Sequence, residues 1–270
     1  MNTKWIKPYL IILTIVTVIA VVVGVYINVI SRFGMFGFDT VIVSDNSENI
    51  SETKEIDLSA VSSIDAELKA CNISIIAGDG FSVSYEMPKA LAPEISTDDN
   101  TLSIVQKDGI KIGPKASKDK YNMVVTIPAD AEFENVSLDI DMGNVQISNI
   151  DLTKNLSIDA DMGSVGLSDV NLSGKLDLDI DVGNVDILNL ECESVVADVD
   201  MGNINAKAIH VLSVEATDDM GNIEMSGYME NATVECSMGN INIKTDNESA
   251  KITAKTDAGD CKVNGVTMHK

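Results

Sequence analysis

Apolar and polar residues alternate along the second half of the chain in a phrase that returns seven times. In its first copy, LDIDMGNVQI, Leu138 and Ile140 alternate with Asp139 and Asp141. This alternation is typical of a β-strand with one buried face. Every copy contains a glycine, and successive glycines are 18 to 20 residues apart: Gly143, Gly163, Gly183, Gly202, Gly221, Gly239 and Gly259.

The alternation slips at fixed places in each repeat, and the slips predict corners. Met142 continues the inward side of its strand, but the next apolar residue, Val145, comes three positions later. The chain must therefore bend at the Gly–Asn pair between them, because both residue types tolerate positive φ. A second slip of three, from Ile147 to Ile150, predicts a second corner, and a third turn is expected near residues 153–155 and 173–175.

A near-constant period of this length predicts an all-β fold, a single-stranded parallel β-helix or solenoid with about 19–20 residues per rung. The rungs are three-sided or flattened, and the regular ones are expected at residues 132–270. Residues 56–131 show less regular strand signals and are expected to form an irregular cap, in which Cys71 and Asn72 stand at the corner of an early rung. No comparable cap follows the last rung, so its edge is expected to be frayed, self-pairing or occupied by a partner.

An uncharged apolar run, Leu10–Ile30, precedes the β-rich part of the chain. As a helix it would span roughly 31 Å, which matches a bilayer core of about 30 Å. A cleaved signal peptide is the alternative, but the run is longer than a usual signal core and no small-residue cleavage site follows. We therefore predict a cytoplasmic N-terminus at residues 1–9, one transmembrane α-helix at 10–30 and an extracytoplasmic tether at 31–55.

Charge is distributed unevenly along the chain, whose net charge is −23. Residues 1–32 contain three basic residues and no acid, so the remainder holds 16 basic against 42 acidic residues, a balance of −26. The basic flank places the N-terminus in the cytoplasm and the acidic part outside. Such a domain should repel nucleic acid and anionic lipid, and it should attract metal cations or basic partners.

Outward aspartates form two columns if the rungs stack in register. Neighbours in a column would lie about 4.8 Å apart, and each adjacent pair would repel by roughly 1 kcal/mol in water. Calcium bridging the carboxylates would offset this repulsion, whereas the alternative is a solvated acidic face that prevents aggregation. The candidate metal ligands are Asp139, Asp159, Asp179 and Asp198 in one column, and Asp141, Asp161, Asp181 and Asp200, continued by Asp219, in the other.

Other repeated positions suggest structural roles. The residue after each corner glycine is usually asparagine, and stacked amides can hydrogen-bond along the axis. Asp218 falls where Ile140 and Val199 point inward, so a local bulge or an exposed rung is expected there. The four cysteines show no motif spacing; they could pair outside the cell, but filling the core is the favoured interpretation.

Enzymatic interpretations find little support in the sequence. The histidines, His210 and His269, have no cysteine or carboxylate at metal-ligand spacing. There is no nucleophile elbow and no phosphate-binding glycine loop. Cleavage of a polysaccharide needs one specific pair of carboxylates at a defined position. The acids of this chain instead recur at the same place in every repeat, beside short corners. We therefore expect a protein that is not an enzyme.

Three features of the sequence carry a family resemblance. They are the N-terminal apolar segment, the lead-in VVTIPADAEFENVSLDIDMGNVQI at residues 124–147 and the recurring D-x-G-x-V/I rungs. They resemble the bacterial putative-adhesin domain family of unknown function, which includes LiaG-like envelope proteins. The resemblance covers about residues 56–266. It implies a β-solenoid and a role at the cell surface or envelope, and it supplies no catalytic residues.

Together these features predict a single-pass protein of the bacterial cell membrane whose acidic solenoid lies outside the cytoplasm. We expect it to act as a binding, adhesion or scaffold module of the envelope. The alternatives are an accessory to an envelope-stress signalling system and a calcium-dependent binding module. The expected partners are the membrane, through the helix, and a basic or envelope protein or polysaccharide, but not nucleic acid; the oligomeric state is left open.

Overall fold

Alternating apolar residues form β-strands throughout the part of the chain that the computed structural model describes, residues 41–43, 49–55, 61–107, 110–112, 121–129, 131 and 133–268. These residues contain one short 3₁₀ helix, Lys89–Leu91, and no α-helix. The strands are β1 Val41–Val43, β2 Asn49–Glu55, β3 Ser63–Leu68, β4 Asn72–Gly78, β5 Ser82–Pro88, β6 Glu94–Asp98, β7 Thr101–Val105, β8 Ile110–Ile112, β9 Asn122–Pro128, β10 Phe133–Met142, β11 Val145–Met162, β12 Val165–Leu172, β13 Lys175–Val182, β14 Val185–Met201, β15 Ile204–Met220, β16 Ile223–Met238, β17 Ile241–Thr245, β18 Lys251–Ala258, β19 Cys261–Val263 and β20 Val266–Thr267.

The predicted transmembrane helix at residues 10–30 lies outside the described residues. Within the described ranges, no helix has both the length and the apolar character needed to cross a bilayer.

Successive coils stack in parallel and build two faces. The first face contains the strand segment before each corner glycine, and the second face contains the segment after it. On the first face Leu138 aligns with Ile158, which aligns with Leu178 in the next coil. On the second face Val145 aligns with Val165. The seven glycine-marked repeats are therefore coils of a parallel β-solenoid, which confirms the predicted fold.

The core is the narrow space between the two faces. Leu138 and Ile140 are each 1% exposed, whereas Asp139 between them is exposed. The same inward positions in later coils are filled mainly by leucine, isoleucine, valine and alanine. The low aromatic content of the sequence, 4%, fits a space that admits aliphatic side chains from two closely apposed sheets.

The second slip in the hydrophobic pattern is a bend made by one residue in the left-handed conformation. Asn149, Asp169, Asn189 and Ala208 occupy this place in four successive coils, with φ between 54° and 58°. Asparagine and aspartate tolerate this conformation, but alanine has no side-chain group that compensates for the steric cost. The third turn, expected near residues 153–155 and 173–175, separates β12, which ends at Leu172, from β13, which begins at Lys175. At residues 153–155 it does not interrupt β11, which runs continuously from Val145 to Met162.

Replacing Ala208 by asparagine is expected to stabilise the protein by about 1 kcal/mol, because alanine in the left-handed region is strained by about that amount. Ala208 is exposed, so the larger side chain has room. The midpoint of urea unfolding measures the gain. Ala258→Asn, at an exposed position without positive φ, is the control and should give no gain. Equal midpoints for wild type and Ala208→Asn would contradict the strain argument.

The N-terminal end of the stack is covered by strands of mixed direction. β3 and β4 form the first coil, and the N–H groups of Cys71 and Ile73 donate to the oxygens of Met142 and Asn144, both at 2.9 Å. β7 and β9 continue the two faces in parallel. β6 then pairs antiparallel with β7, β5 with β9, and β2 with β5. β1 and β8 form a separate two-stranded parallel sheet.

A buried glutamine ties this cover to the first corner. The Oε1 atom of Gln106 accepts hydrogen bonds from the N–H groups of Lys69 and Ala70, both at 2.9 Å. Its Nε2 atom donates to the oxygen of Leu91 at 2.8 Å. Gln106 is only 1% exposed, so these bonds satisfy an amide that would otherwise be costly to bury.

The methionines before the corner glycines lie outside the core, contrary to the inward position expected for Met142. Met142 itself is half-buried, and its successors Met162, Met201, Met220 and Met238 are 43–55% exposed. The reason is that the chain begins to turn before the glycine rather than at it. The alternation therefore ends at Ile140, and the residue two positions later already lies on the outside of the corner.

Candidate functional site

The two predicted aspartate columns lie side by side on the first face. Asp139, Asp159, Asp179 and Asp198 are aligned partners in four successive coils. The second column follows two residues later in each coil. Asp141 is half-buried, and the other candidate residues are exposed. The exposed ones are Asp139, Asp159, Asp161, Asp179, Asp181, Asp198 and Asp200. The sequence therefore identified which carboxylates share a surface.

Three carboxylates of the two columns, those of Asp159, Asp161 and Asp179, have raised pKa values. Partial burial is the largest cause of the raised pKa of Asp159, and the charges of Asp179 and Asp139 add to it. Burial likewise raises the pKa of Asp161, followed by the charges of its column neighbours. The neighbouring charges thus make these three carboxyl groups harder to ionise, and the surface has a strongly negative potential.

Basic residues stand at both ends of this acidic face. At the first coil, the ammonium group of Lys69 lies 3.3 Å from Asp141 and 3.2 Å from Glu67. Burial lowers the pKa of Lys69, but the hydrogen bonds and charges of the two acids outweigh this effect and raise it overall. At the last coil, Lys255 lies 3.3 Å from Asp257. The acidic face is therefore bounded along the axis by ion pairs.

A preformed metal centre is not found in the described part of the chain. Within it, no group of three or more histidine, cysteine, aspartate or glutamate side chains is placed so that it could hold a metal ion. The columns are open and solvated rather than closed around one point. What they offer chemically is a flat array of carboxylates for cationic groups.

The corner asparagines form a ladder along the edge of the acidic face. The Oδ1 atom of Asn184 accepts from the backbone N–H of Asn203 at 3.1 Å and from its Nδ2 at 2.9 Å. The same pair of bonds joins Asn203 to Asn222 and Asn222 to Asn240. This confirms the structural role predicted for the column, because the amides join adjacent coils.

Asp218 is buried in the core, although a bulge or an exposed rung was expected. It stays in register with Val199 before it and Cys236 after it, and it is 1% exposed. Neither carboxylate oxygen has a donor in good hydrogen-bond geometry among the described residues. Burial raises the pKa of Asp218 to about 6, and the nearby backbone of Met220 offsets this effect only in part. The strand keeps its register because the neighbouring coils hold it on both sides.

A shallow groove on the second face was not found from the sequence. It has a volume of about 510 Å³, and its polar lining includes Asp151, Asn171 and Glu191. The amide of Asn171 donates to Asp151 at 2.6 Å. Further along the same column His210 stacks on Tyr228, with ring centroids 4.6 Å apart. The only signal of the groove in the sequence was a polar residue that recurs two positions after the left-handed bend. This pattern does not differ from that of any other solvent-exposed position on a strand.

The four cysteines fill the core as free thiols: Cys71, Cys192, Cys236 and Cys261, each 6% exposed or less. Burial raises the pKa of Cys71 to about 12, so its thiol stays protonated at neutral pH. This confirms the interpretation of the cysteines as fillers. His210 is a stacking partner for Tyr228 in this arrangement, and His269 lies outside the described residues.

The fold is similar to that of several solved structures. A putative adhesin from Bacteroides fragilis has a TM-score of 0.60 and 20% identity, with 82% of this chain and 99% of that chain covered. A putative adhesin from Parabacteroides distasonis has a TM-score of 0.45 and 16% identity, covering 82% and 98%. A putative cell adhesion protein from Clostridium sporogenes has a TM-score of 0.45 and 14% identity, covering 80% and 99%.

No curated protein matches the sequence. A family model described as Toastrack DUF4097 matches residues 61–270, which include every coil of the solenoid. This agrees with the family resemblance seen in the lead-in and the rungs. The chain therefore belongs to the Toastrack DUF4097 family.

Proposed function

We propose that the protein is a single-pass component of the bacterial cell envelope whose acidic solenoid acts outside the cytoplasm by binding, as an adhesion or scaffold module. The apolar run at residues 10–30 supports the anchor, and the basic flank supports the orientation. The name of the Bacteroides fragilis fold neighbour, a putative adhesin, agrees with a binding role.

The observation that carries this proposal is the rigid acidic face. Its carboxylates are fixed by the stacking of the coils, so a cationic partner meets a preorganised array rather than a flexible tail. Preorganisation lowers the entropic cost of binding, and the raised pKa values of Asp159, Asp161 and Asp179 show that the charges are close enough to act together. The partner class that this array suits is a basic protein or a cationic polymer of the envelope.

Neutralising the centre of the array tests the proposal. The double variant Asp159→Asn/Asp179→Asn is expected to weaken binding of an oligolysine probe about tenfold at low salt, because two central charges are lost from one surface. Fluorescence anisotropy of the labelled probe measures the affinity. The matched control is Asp186→Asn/Glu193→Gln, which removes the same net charge from positions outside the two columns and should change affinity less than about twofold.

Equal weakening of probe binding by both double variants would contradict the proposal, since net charge alone would then explain the binding. Thermal unfolding checks that both variants fold; the melting temperature of Asp159→Asn/Asp179→Asn should be no lower than that of wild type because repulsion is relieved.

The same variants decide the calcium alternative. A rise in melting temperature with millimolar calcium that disappears in Asp159→Asn/Asp179→Asn would establish a calcium-dependent module instead; we expect no such rise, because the carboxylates are not gathered around a point.

A further inference from the structure

The two faces of the solenoid end differently at the C-terminus. On the second face β20 turns back at Asn264 and Gly265 and pairs antiparallel with β19. On the first face the last strand is β18, which pairs with β16 from Lys251 to Ala258. Among the described residues no strand pairs with the other edge of β18. The N-terminal end of the stack, in contrast, is covered by antiparallel strands.

The backbone groups on this edge follow from the pairing with β16. The N–H of Gly239 donates to the oxygen of Ala258 at 2.9 Å, so the backbone of Ala258 points back into the stack. Backbone direction alternates along a strand, and the groups of residues 251, 253, 255 and 257 therefore point away from it. An eight-residue edge with such groups is a template for another strand.

The core is also incompletely covered at this end. Ile252 and Ala254 face inward on β18 but are only half-buried, whereas their counterparts one coil earlier, Ala232 and Val234, are 3% and 0% exposed. Val266 on β20 is 65% exposed. An end with apolar side chains and outward backbone groups on one surface is suited to association.

We propose that a second copy of the chain occupies this edge, with the two β18 strands antiparallel about a two-fold axis at Ala254. In this register Lys251 of each copy faces Asp257 of the other, and Thr253 faces Lys255. Both are pairs of residues whose backbone groups point outward, so they can exchange hydrogen bonds. Asp257 already lies 3.3 Å from Lys255 of its own strand, and a carboxylate can accept from both lysines.

Charge favours this register over the two registers in which the two-fold axis lies one residue away. A two-fold axis at Thr253 would place Lys251 opposite Lys255, and an axis at Lys255 would place that lysine opposite itself. Like charges directly opposite one another destabilise a strand pair. Lysines on an edge strand also discourage pairing with unrelated strands. The edge is therefore selective, because only a partner with an acid opposite Lys251 neutralises it, and β18 itself supplies that acid.

The pairing joins C-terminal ends, so the capped N-terminal ends of the two copies point away from each other. The pairing itself does not depend on the proposed function.

Charge exchange tests the pairing in the full-length protein, solubilised in detergent and studied by analytical ultracentrifugation. We expect a reversible dimer, with Lys251→Asp and Asp257→Lys each weakening dimerisation by about tenfold or more and the double variant Lys251→Asp/Asp257→Lys restoring it. Thermal unfolding verifies that each variant is folded. A monomer at every accessible concentration, or a dimer indifferent to Lys251→Asp, would overturn the proposal.

Cysteine cross-linking gives a second measurement that does not depend on affinity. Ala254→Cys places two thiols across the two-fold axis at a non-hydrogen-bonded pair, where Cα atoms are about 4.5 Å apart, and mild oxidation should give a covalent dimer. Thr253→Cys is the matched control, because its two copies would lie about 7–8 Å apart diagonally, beyond disulfide reach. The native cysteines are buried. Cross-linking by both variants, or by neither, would show that β18 does not pair in this register.

Discussion

Replacing Gly183 by alanine is expected to destabilise the solenoid by about 4 kcal/mol or more and to separate the coils on either side of it. A Cβ atom at this position would lie 1.6 Å from the carbonyl oxygen of Gly163 in the preceding coil. The obstructing atom belongs to the backbone and is held by the neighbouring pairs, so it cannot move without breaking the stack. Neighbouring coils stabilise one another only through their interface.

Hydrogen exchange of the purified protein measures this effect coil by coil. In Gly183→Ala, amides of the coils that follow should lose protection first, because they are attached to the capped N-terminal end only through the damaged interface. Gly80→Ala is the matched control: no atom lies within 4 Å of the Cβ added there, and its protection pattern should equal that of wild type. Native-like protection in Gly183→Ala would show that close stacking of the glycines is not required.

Replacing Asp218 by valine is expected to stabilise the protein by about 3 kcal/mol at pH 7 to 8. Folding raises the pKa of this carboxyl from 3.8 to about 6, and each tenfold weakening of the acid corresponds to about 1.4 kcal/mol of lost stability once the group is ionised. Valine already occupies the equivalent position one coil earlier, where Val199 is 0% exposed. The substitution therefore replaces a buried acid, whose burial the backbone of Met220 offsets only in part, by a side chain that the same core accepts.

The pH dependence of stability provides the decisive comparison. An acid with a raised pKa on folding contributes stability that is fully present below about pH 4 and is lost as the pH rises through about 6. Wild type should therefore lose stability between these values, and Asp218→Val should lose much less; the raised pKa values of Asp159, Asp161 and Asp179 leave a smaller slope of the same sign. Urea unfolding from pH 4 to 8 measures both.

Asp219→Asn is the control for this experiment, because it removes the neighbouring charge from the exposed column. Its stability should remain within about 0.5 kcal/mol of wild type. An identical pH slope in wild type and Asp218→Val would mean that the carboxyl of Asp218 is solvated in solution rather than buried.

The coil fold was predictable because its determinants are local and repeated. Leu138, Ile140 and their successors fix which side of each strand faces inward, and the glycine spacing fixes the period. An ambiguous pattern in one coil can therefore be interpreted from the same pattern in the next coil. The aspartate columns followed from the same register. No pairing partner had to be guessed, since each coil pairs with its own neighbours in the sequence.

Features that depend on one coil or on distant segments were not predictable in this way. The outside position of Met162 depends on where within the corner the chain turns, and apolar residue type alone cannot indicate that. The burial of Asp218 reflects neighbouring coils that hold its strand in place against the preference of its side chain. The antiparallel cover at the N-terminal end pairs segments without a common period, and the groove beside Asp151 is formed partly by that cover.

The glycine stack has a consequence for how such a chain can change in length. Because each corner glycine meets an identical one in the next coil, removal or duplication of one full period, for example residues 202–220, would bring glycine onto glycine and asparagine onto asparagine again. The reach of the domain can therefore lengthen or shorten in steps of about 4.8 Å while both of its ends keep their chemistry. A lineage would be free to adjust distance without redesigning what either end recognises.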